Sequence, residues 1–298
     1  MKILLATDGS EHSNGAARFL TRLNLSSVDE IAVFHAVYWI PFLYDTESYY
    51  DTFREIKEEI APKIIDSALD ILKPVHARIS TYILDGSPEQ CIIDVAAKSE
   101  ADLIVMGARG IEGIESLFVG SVTRSVAIKS AKPVLVTKLP VSEEPDKMKI
   151  LFATDGSEYS IGTGEFLSGI PLPHNTQITI LNVMPSEFPD IPEAFVPEII
   201  EQMIKVAEKF KAMRLIESER ITNQARQYLS KKFKNIEVLS EVGDPSTVIL
   251  KTAESLGTDL IAVGCRGLRG IKGMMGSVSR NILTHSKSSV LIGKMCLE

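Results

Sequence analysis

The chain has 298 residues, 45% of them hydrophobic and 24% charged, the balance of a globular protein with room for two ordinary domains. A formal net charge of −7 argues against nucleic acid as the main partner, because binding phosphates over a large surface requires a basic face. Cys91, Cys265 and Cys296 show neither disulfide nor zinc spacing, no run reaches the roughly 18 apolar residues of a membrane helix, and the amino terminus lacks a secretory pattern. The expected location is cytoplasmic, with no membrane partner.

In chain order, "KILLA" reads as a short buried strand and "SEHSNGAARFLTRL" as the helix after it. "EIAVFHAV" is a second strand. A long loop rich in aromatics, "VYWIPFLYDTESYYDTF" (37–53), follows. It reads either as a partner surface or as a loop packed on its own protein. "FREIKEEIAPKIIDSALDIL" places Ile56, Ile60, Ile64, Ala68 and Ile71 near one helical face. "RISTYIL" is a third strand, and "SPEQCIIDVAAKSE" a helix with Pro88 in its tolerant first turn. "DLIVMG", "SVTRSVAIKS" and "PVLVTK" complete five strands and four helices.

The plan is then written again. "MKILLATDGSEHS" at residue 1 recurs as "MKILFATDGSEYS" at 148, and "ADLIVMGARG" at 101 as "TDLIAVGCRG" at 258. "GSVTRSVAIKSAKPVLVTK" at 120 recurs as "GSVSRNILTHSKSSVLIGK" at 276. Shared landmarks in the same order mean duplication of a whole domain, not a short solenoid repeat. Domains are expected at 1–140 and 148–298, joined by the polar linker "LPVSEEPDKM". In the second, "MPSEFPDIPEAFVP" reads as a stiff connection, and the helix from Glu198 towards Phe233 is much longer than its counterpart. Continuous apolar strands suit a parallel sheet covered on both faces. The expected fold class is α/β: two tandem doubly wound three-layer domains, each with a five-stranded parallel sheet. The halves are expected to pair through "PVLVTK" and "SVLIGK", whose apolar edges need cover.

In such a sheet a ligand sits at the carboxyl ends of the strands, where strand order reverses. That directs attention to "TDGS" after the first strand, the end of the second, and the glycine loop after the fourth. The first loop, "GARGIEGIESLFVGSVT", holds Gly107, Gly110 and Gly120, then Ser121 at a helix start, where free N–H groups favour an anion. The residue types alone admit turn and cap roles as readily as phosphate binding. Asp8 is a cap or a ligand group, and Arg109 pairs with phosphate or with solvent. His35 reads as a core or rim histidine. The second loop, "GCRGLRGIKGMMGS", has eight residues between Gly267 and Gly276 where the first has nine. Its extra glycines, Gly270 and Gly273, fit a shorter loop that still closes, or drift after binding was lost. Cys265 within it reads as an ordinary small residue before a reactive one.

G-x-x-G, nine residues, then G-S, after "DLIVMG" and before "PVLVTK", resembles the universal stress protein family over both halves. The likeness implies a tandem member with the adenine nucleotide alpha hydrolase-like fold, and ATP with Mg²⁺ as cofactors. It implies that Gly107, Gly110, Gly120, Ser121 and Val122 surround phosphates and ribose, with Arg109 beside them. Thr7 and Asp8 would lie at the nucleotide, Asp8 through the metal, and the backbone around Ala36 would meet adenine. Asp155, Val183, Gly264, Gly267, Gly276 and Ser277 are the matching positions of the second half. Expected partners are an adenine nucleotide, the other half of the chain, a further copy of the chain and a protein client. The implied role is regulation in stress response, with at most slow ATP hydrolysis. Two rivals remain at this stage. One is a nucleotidyltransferase or electron-transfer flavoprotein of similar fold. Against the former, the first loop holds only His12, matched by Tyr159, where a histidine pair is usual. The other is an interaction module that binds no nucleotide.

Overall fold

A computed structural model describes residues 1–38, 47–110, 119–141, 144, 146–185, 196–268 and 275–294, with backbone alone for 47–57 and 196–211. The first half runs β1 (Lys2–Ala6), α1 (Glu11–Thr21), β2 (Glu30–Val37), α2 (Glu47–Leu72), β3 (Arg78–Asp85), α3 (Pro88–Lys98), β4 (Leu103–Gly107), α4 (Ser121–Lys129) and β5 (Val134–Thr137). The second repeats it as β6 (Lys149–Ala153), α5 (Glu158–Gly169), β7 (Gln177–Met184), α6 (Val196–Leu229), β8 (Asn235–Val242), α7 (Pro245–Leu256), β9 (Leu260–Gly264), α8 (Ser277–His285) and β10 (Ser289–Gly293). Serine starts the first helix of each half: Ser10 and Ser157 accept from the amides of Ser13 and Ser160.

Three expectations change. Helix α2 begins at Glu47, so the last part of the 37–53 stretch is helical rather than loop. Residues 39–46 lie outside the described residues. Helix α6 runs Val196–Leu229, 34 residues against 26 in α2, so the length difference is present with shifted ends. Strand β3 is exposed along its whole length instead of covered, because it lies at the sheet edge.

All ten strands form one sheet in the order β3-β2-β1-β4-β5-β10-β9-β6-β7-β8. Within each half neighbours are parallel. The halves meet where β5 and β10 pair antiparallel, with Leu135 opposite Leu291 and Val290 opposite Val136. The expected pairing through the last strands is therefore present. Since that pair is antiparallel, the carboxyl ends of the two sets of strands face opposite ways.

Alternation along each central strand feeds two cores. Ile3, Leu5, Val33, Val105 and Leu135 face α1 and α2, and the same core continues through Leu291, Ala262 and Phe152 of the second half. Leu4, Phe34, Ile104, Val134 and Val136 face the opposite layer, continuous with Val290, Ile292 and Ile261. Polar contacts lock the join. Arg22 at the end of α1 is 5% exposed; it reaches Asp259 Oδ1 at 3.2 Å and donates to the Lys147 carbonyl at 2.7 Å. Asn24 donates through its backbone and side chain to the carbonyls of Pro171 and Leu172.

Removing one member of a buried ion pair leaves the other charge uncompensated, at a cost of about 3–5 kcal/mol. Arg22→Ala is expected to lower stability by that order in urea unfolding. A loss under about 1 kcal/mol would show that the two halves hold together without this pair.

Candidate functional site

The chain runs from β1 outward to β2 and β3, then returns to β4 on the other side of β1. The reversal brings the loops after β1 and β4 side by side at the carboxyl ends of their strands. In open α/β sheets such a crevice is where ligands bind, so topology points to these loops before any side chain is considered.

Residues 7–10 form a self-bonded turn. Asp8 Oδ1 accepts from the Ser10 amide at 3.0 Å, and Gly9 adopts a φ of +77° that favours glycine. Thr7 is buried; its hydroxyl bonds Ser13 Oγ at 3.1 Å and accepts from the Gly9 amide at 3.3 Å. Thr7 therefore shapes the turn with its side chain rather than offering it to a ligand. His35 Nδ1 donates to the Thr7 carbonyl at 2.9 Å and ties β2 to the turn, which makes it a rim histidine as read from the sequence. Ala36 and Val183 are half-buried near the ends of β2 and β7.

The three glycines of the first loop differ in kind. A Cβ on Gly107 would lie 2.5 Å from the His12 carbonyl carbon, so this glycine lets β4 press on α1. A Cβ on Gly110 would lie 2.5 Å from Asp8 Oδ2, so the loop crosses directly over the carboxylate. A Cβ on Gly120 would make only ordinary contacts, the nearest at 3.6 Å. Protein packing explains Gly107, whereas nothing in the described protein requires glycine at 120. The Gly120 amide bonds the Ala108 carbonyl at 2.8 Å and closes the loop. Gly120 begins α4 without a side-chain cap; Ser121 is exposed and Val122 half-buried in the first turn. Residues 111–118 lie outside the described residues.

Positive charge collects at this loop. Burial, then the Arg109 guanidinium, pushes the Lys138 ammonium down to about 8. Burial, then Arg109 and Lys138, lowers His12 as well, while Asp8 and Glu11 act against them. His12 Nδ1 is buried without a hydrogen-bond partner. Cations that discourage one another's charge around one carboxylate suit an anionic ligand. Reasoning from sequence missed Lys138, although a lysine ends the last strand motif in both halves.

The second half rebuilds the frame bond for bond. Ser157 N donates to Asp155 Oδ1 at 3.0 Å, Asn182 replaces His35 by donating to the Thr154 carbonyl at 2.8 Å, and Gly276 N bonds the Cys265 carbonyl at 2.8 Å. A Cβ on Gly264 would press on Tyr159 and Ser160 backbone, and one on Gly267 would lie 2.4 Å from Asp155 Oδ2. Ser277 opens α8, as Ser121 opens α4. Both ends of the shorter loop are anchored as in the first half; Gly270 and Gly273 fall outside the described residues. What differs is occupancy by the protein itself. Asp155 Oδ2 accepts from the Leu268 amide at 3.0 Å. Arg266 donates to the Tyr159 hydroxyl at 2.5 Å and lies 4.9 Å over its ring. Lys294 donates to the Ile128 carbonyl at 3.2 Å. Cys265 is buried, which suits the ordinary-residue reading.

Because Gly107 is fixed by packing and Gly120 is not, Gly107→Ala is expected to cost about 1–3 kcal/mol in chemical unfolding. Gly120→Ala should stay within about 1 kcal/mol. Equal losses at the two positions would contradict the distinction.

Comparison with known proteins agrees with this architecture. The model of the universal stress protein family matches residues 1–138 and again 148–294. A universal stress protein of Methanocaldococcus jannaschii is 32% identical over 143 residues, which cover 48% of this chain and 84% of that protein. One of Mycolicibacterium smegmatis is 25% identical over 297 residues, 97% of this chain and 96% of its own length. The crystal structure of a universal stress protein from Archaeoglobus fulgidus matches 99% of this chain and 96% of its own, with a TM-score of 0.64 at 22% identity, a likeness of fold. Matched twice in succession over nearly its whole length, the chain belongs to the universal stress protein family as a tandem member with the adenine nucleotide alpha hydrolase-like α/β fold.

Proposed function

We propose that the first half binds an adenine nucleotide, ATP with Mg²⁺, and that the protein is a nucleotide-dependent regulator in stress response. The observation that carries this reading is the open amino end of α4 at Gly120, flanked by Asp8, Arg109 and Lys138. Backbone N–H groups there favour phosphate, a glycine without packing duty permits close approach, and the flanking cations complement the charge. Among the described residues no group of three or more histidine, cysteine or acidic side chains forms a metal cage. Asp8 alone fits a Mg²⁺ that is carried in by phosphates and completes its shell with water. Bound nucleotide is proposed to act as a switch, favouring one conformation or assembly, with hydrolysis slow.

The second half is proposed to bind more weakly. Its lysine is held by the Ile128 carbonyl and its aspartate by the Leu268 amide, so a ligand must displace protein contacts first.

Mass spectrometry should find ATP released from the purified protein. Gly120→Ala is expected to weaken ATP binding about tenfold or more in calorimetry, about 1.4 kcal/mol, while the protein stays folded. Unchanged affinity would move the nucleotide elsewhere or remove it. For the two halves, Gly110→Val in the full chain should remove the tighter binding event and Gly267→Val the weaker or none; the reverse result would sink the ranking.

Lys138 supplies a pH test. Its pKa in the free protein lies near 8, and a bound phosphate would raise it. Binding above pH 8 then requires proton uptake, so affinity is expected to hold up to about pH 7.5 and to fall as pH rises through 8. A pH-independent affinity across that window would place Lys138 away from the phosphates.

A further inference from the structure

With β5 and β10 joined, the sheet has two edges, β3 and β8. An edge strand presents unpaired N–H and C=O groups and serves as a template for another strand unless charge, proline or a bulge guards it. Strand β8 carries such a guard in Glu237 and Glu241. Strand β3, "RISTYILD", has no proline, and its two charges, Arg78 and Asp85, stand at opposite ends and cancel. All eight of its residues are exposed, among them Ile79, Tyr82, Ile83 and Leu84.

We propose that β3 pairs antiparallel with β3 of a second copy of this chain, in a register centred on Thr81, and so forms a two-fold dimer with one continuous sheet. The backbone supports that register. The Arg78 amide bonds the Asp29 carbonyl at 2.9 Å and the Gly86 amide bonds the Val37 carbonyl at 3.0 Å. In a parallel ladder alternate residues bond the same neighbour, so the even-numbered residues between them also turn to β2. Ile79, Thr81, Ile83 and Asp85 then direct their N–H and C=O groups outward. A two-fold axis normal to the sheet keeps each side chain on its own face and therefore pairs residues of like parity. Centred on Thr81, it sets Ile79 opposite Ile83 of the second copy, twice, as hydrogen-bonded pairs. Ser80 falls opposite Tyr82 of the second copy in the pairs between them. Cross-strand apolar pairs of this kind stabilise sheets, and Arg78, which within its own copy pairs with Glu30 of β2, stands at the ladder end where the second copy carries Leu84 and Asp85. The antiparallel sense brings unlike charges to the same end, whereas parallel pairing would set like beside like. Pairing β3 with β8 instead would be head-to-tail and would build a ring or an open filament rather than a two-fold dimer.

Sedimentation velocity on the full chain over micromolar concentrations tests this. The wild type is expected to be a dimer. Thr81→Pro removes an outward N–H and leaves the bonds to β2 intact, which edge strands tolerate; Ile79→Lys places a charge in the pairing face. Both variants should be monomers with unchanged far-ultraviolet circular dichroism, and Ile79→Lys decides the matter if the proline variant does not fold. Glu237→Ala on β8 should remain a dimer. A monomeric wild type, a dimer that persists in folded Ile79→Lys, or growth beyond the dimer in the wild type would each overturn the proposal.

Discussion

The antiparallel contact of β5 with β10 governs the rest of the molecule. Each strand is short and buried throughout, and either one left at an edge would present unpaired N–H and C=O groups beside apolar side chains, a template for association. Joining them merges the cores above and below the sheet, so that Leu135 and Leu291 belong to one cluster and Val136 and Val290 to the other. The same contact turns the second half over end to end. Two equivalent loop systems consequently stand at opposite ends of one sheet, each on the side where its own strands finish.

Within a loop system, glycine serves two physical purposes that a motif does not separate. At Gly107 and Gly264 it allows the fourth strand of each half to lie against the first turn of a helix. At Gly110 and Gly267 it allows the loop to cross the aspartate of the turn that follows the first strand of each half. Gly120 has neither duty, with only ordinary contacts around its α-carbon. Under the proposed function a ligand would account for a glycine there, and that asymmetry is the physical support for the proposal.

The two halves keep the frame and differ in the side chains that close upon it. Exchange of His12 for Tyr159 supplies a hydroxyl and a ring that hold Arg266, whereas His12 leaves a buried nitrogen unpartnered beside a lysine whose charge is discouraged. Loop length, the difference most visible in the alignment of the halves, does not disturb either anchor: the closing hydrogen bond measures 2.8 Å in both.

The duplication, the strand and helix order, and the loops at the strand ends were determined by sequence alone, because periodicity and turn chemistry are local. The pairing of "PVLVTK" with "SVLIGK" was legible because an apolar last strand needs cover, whereas the helix cap fell to Ser10 and Ser157 and not to Asp8, the cap candidate read from the sequence. Tertiary structure decided what depends on distant neighbours. The "RISTYIL" stretch reads as a core strand, yet it is an edge, since burial depends on which strands stand beside it. Lys138 reads as the polar end of a strand, yet burial and Arg109 lower its pKa across a gap of 29 residues in sequence. Tyr159 and Arg266, 107 residues apart, meet only because β6 and β9 are neighbours in the sheet. Local pattern specifies the elements; which charges face one another follows from strand order, and strand order is a property of the folded chain.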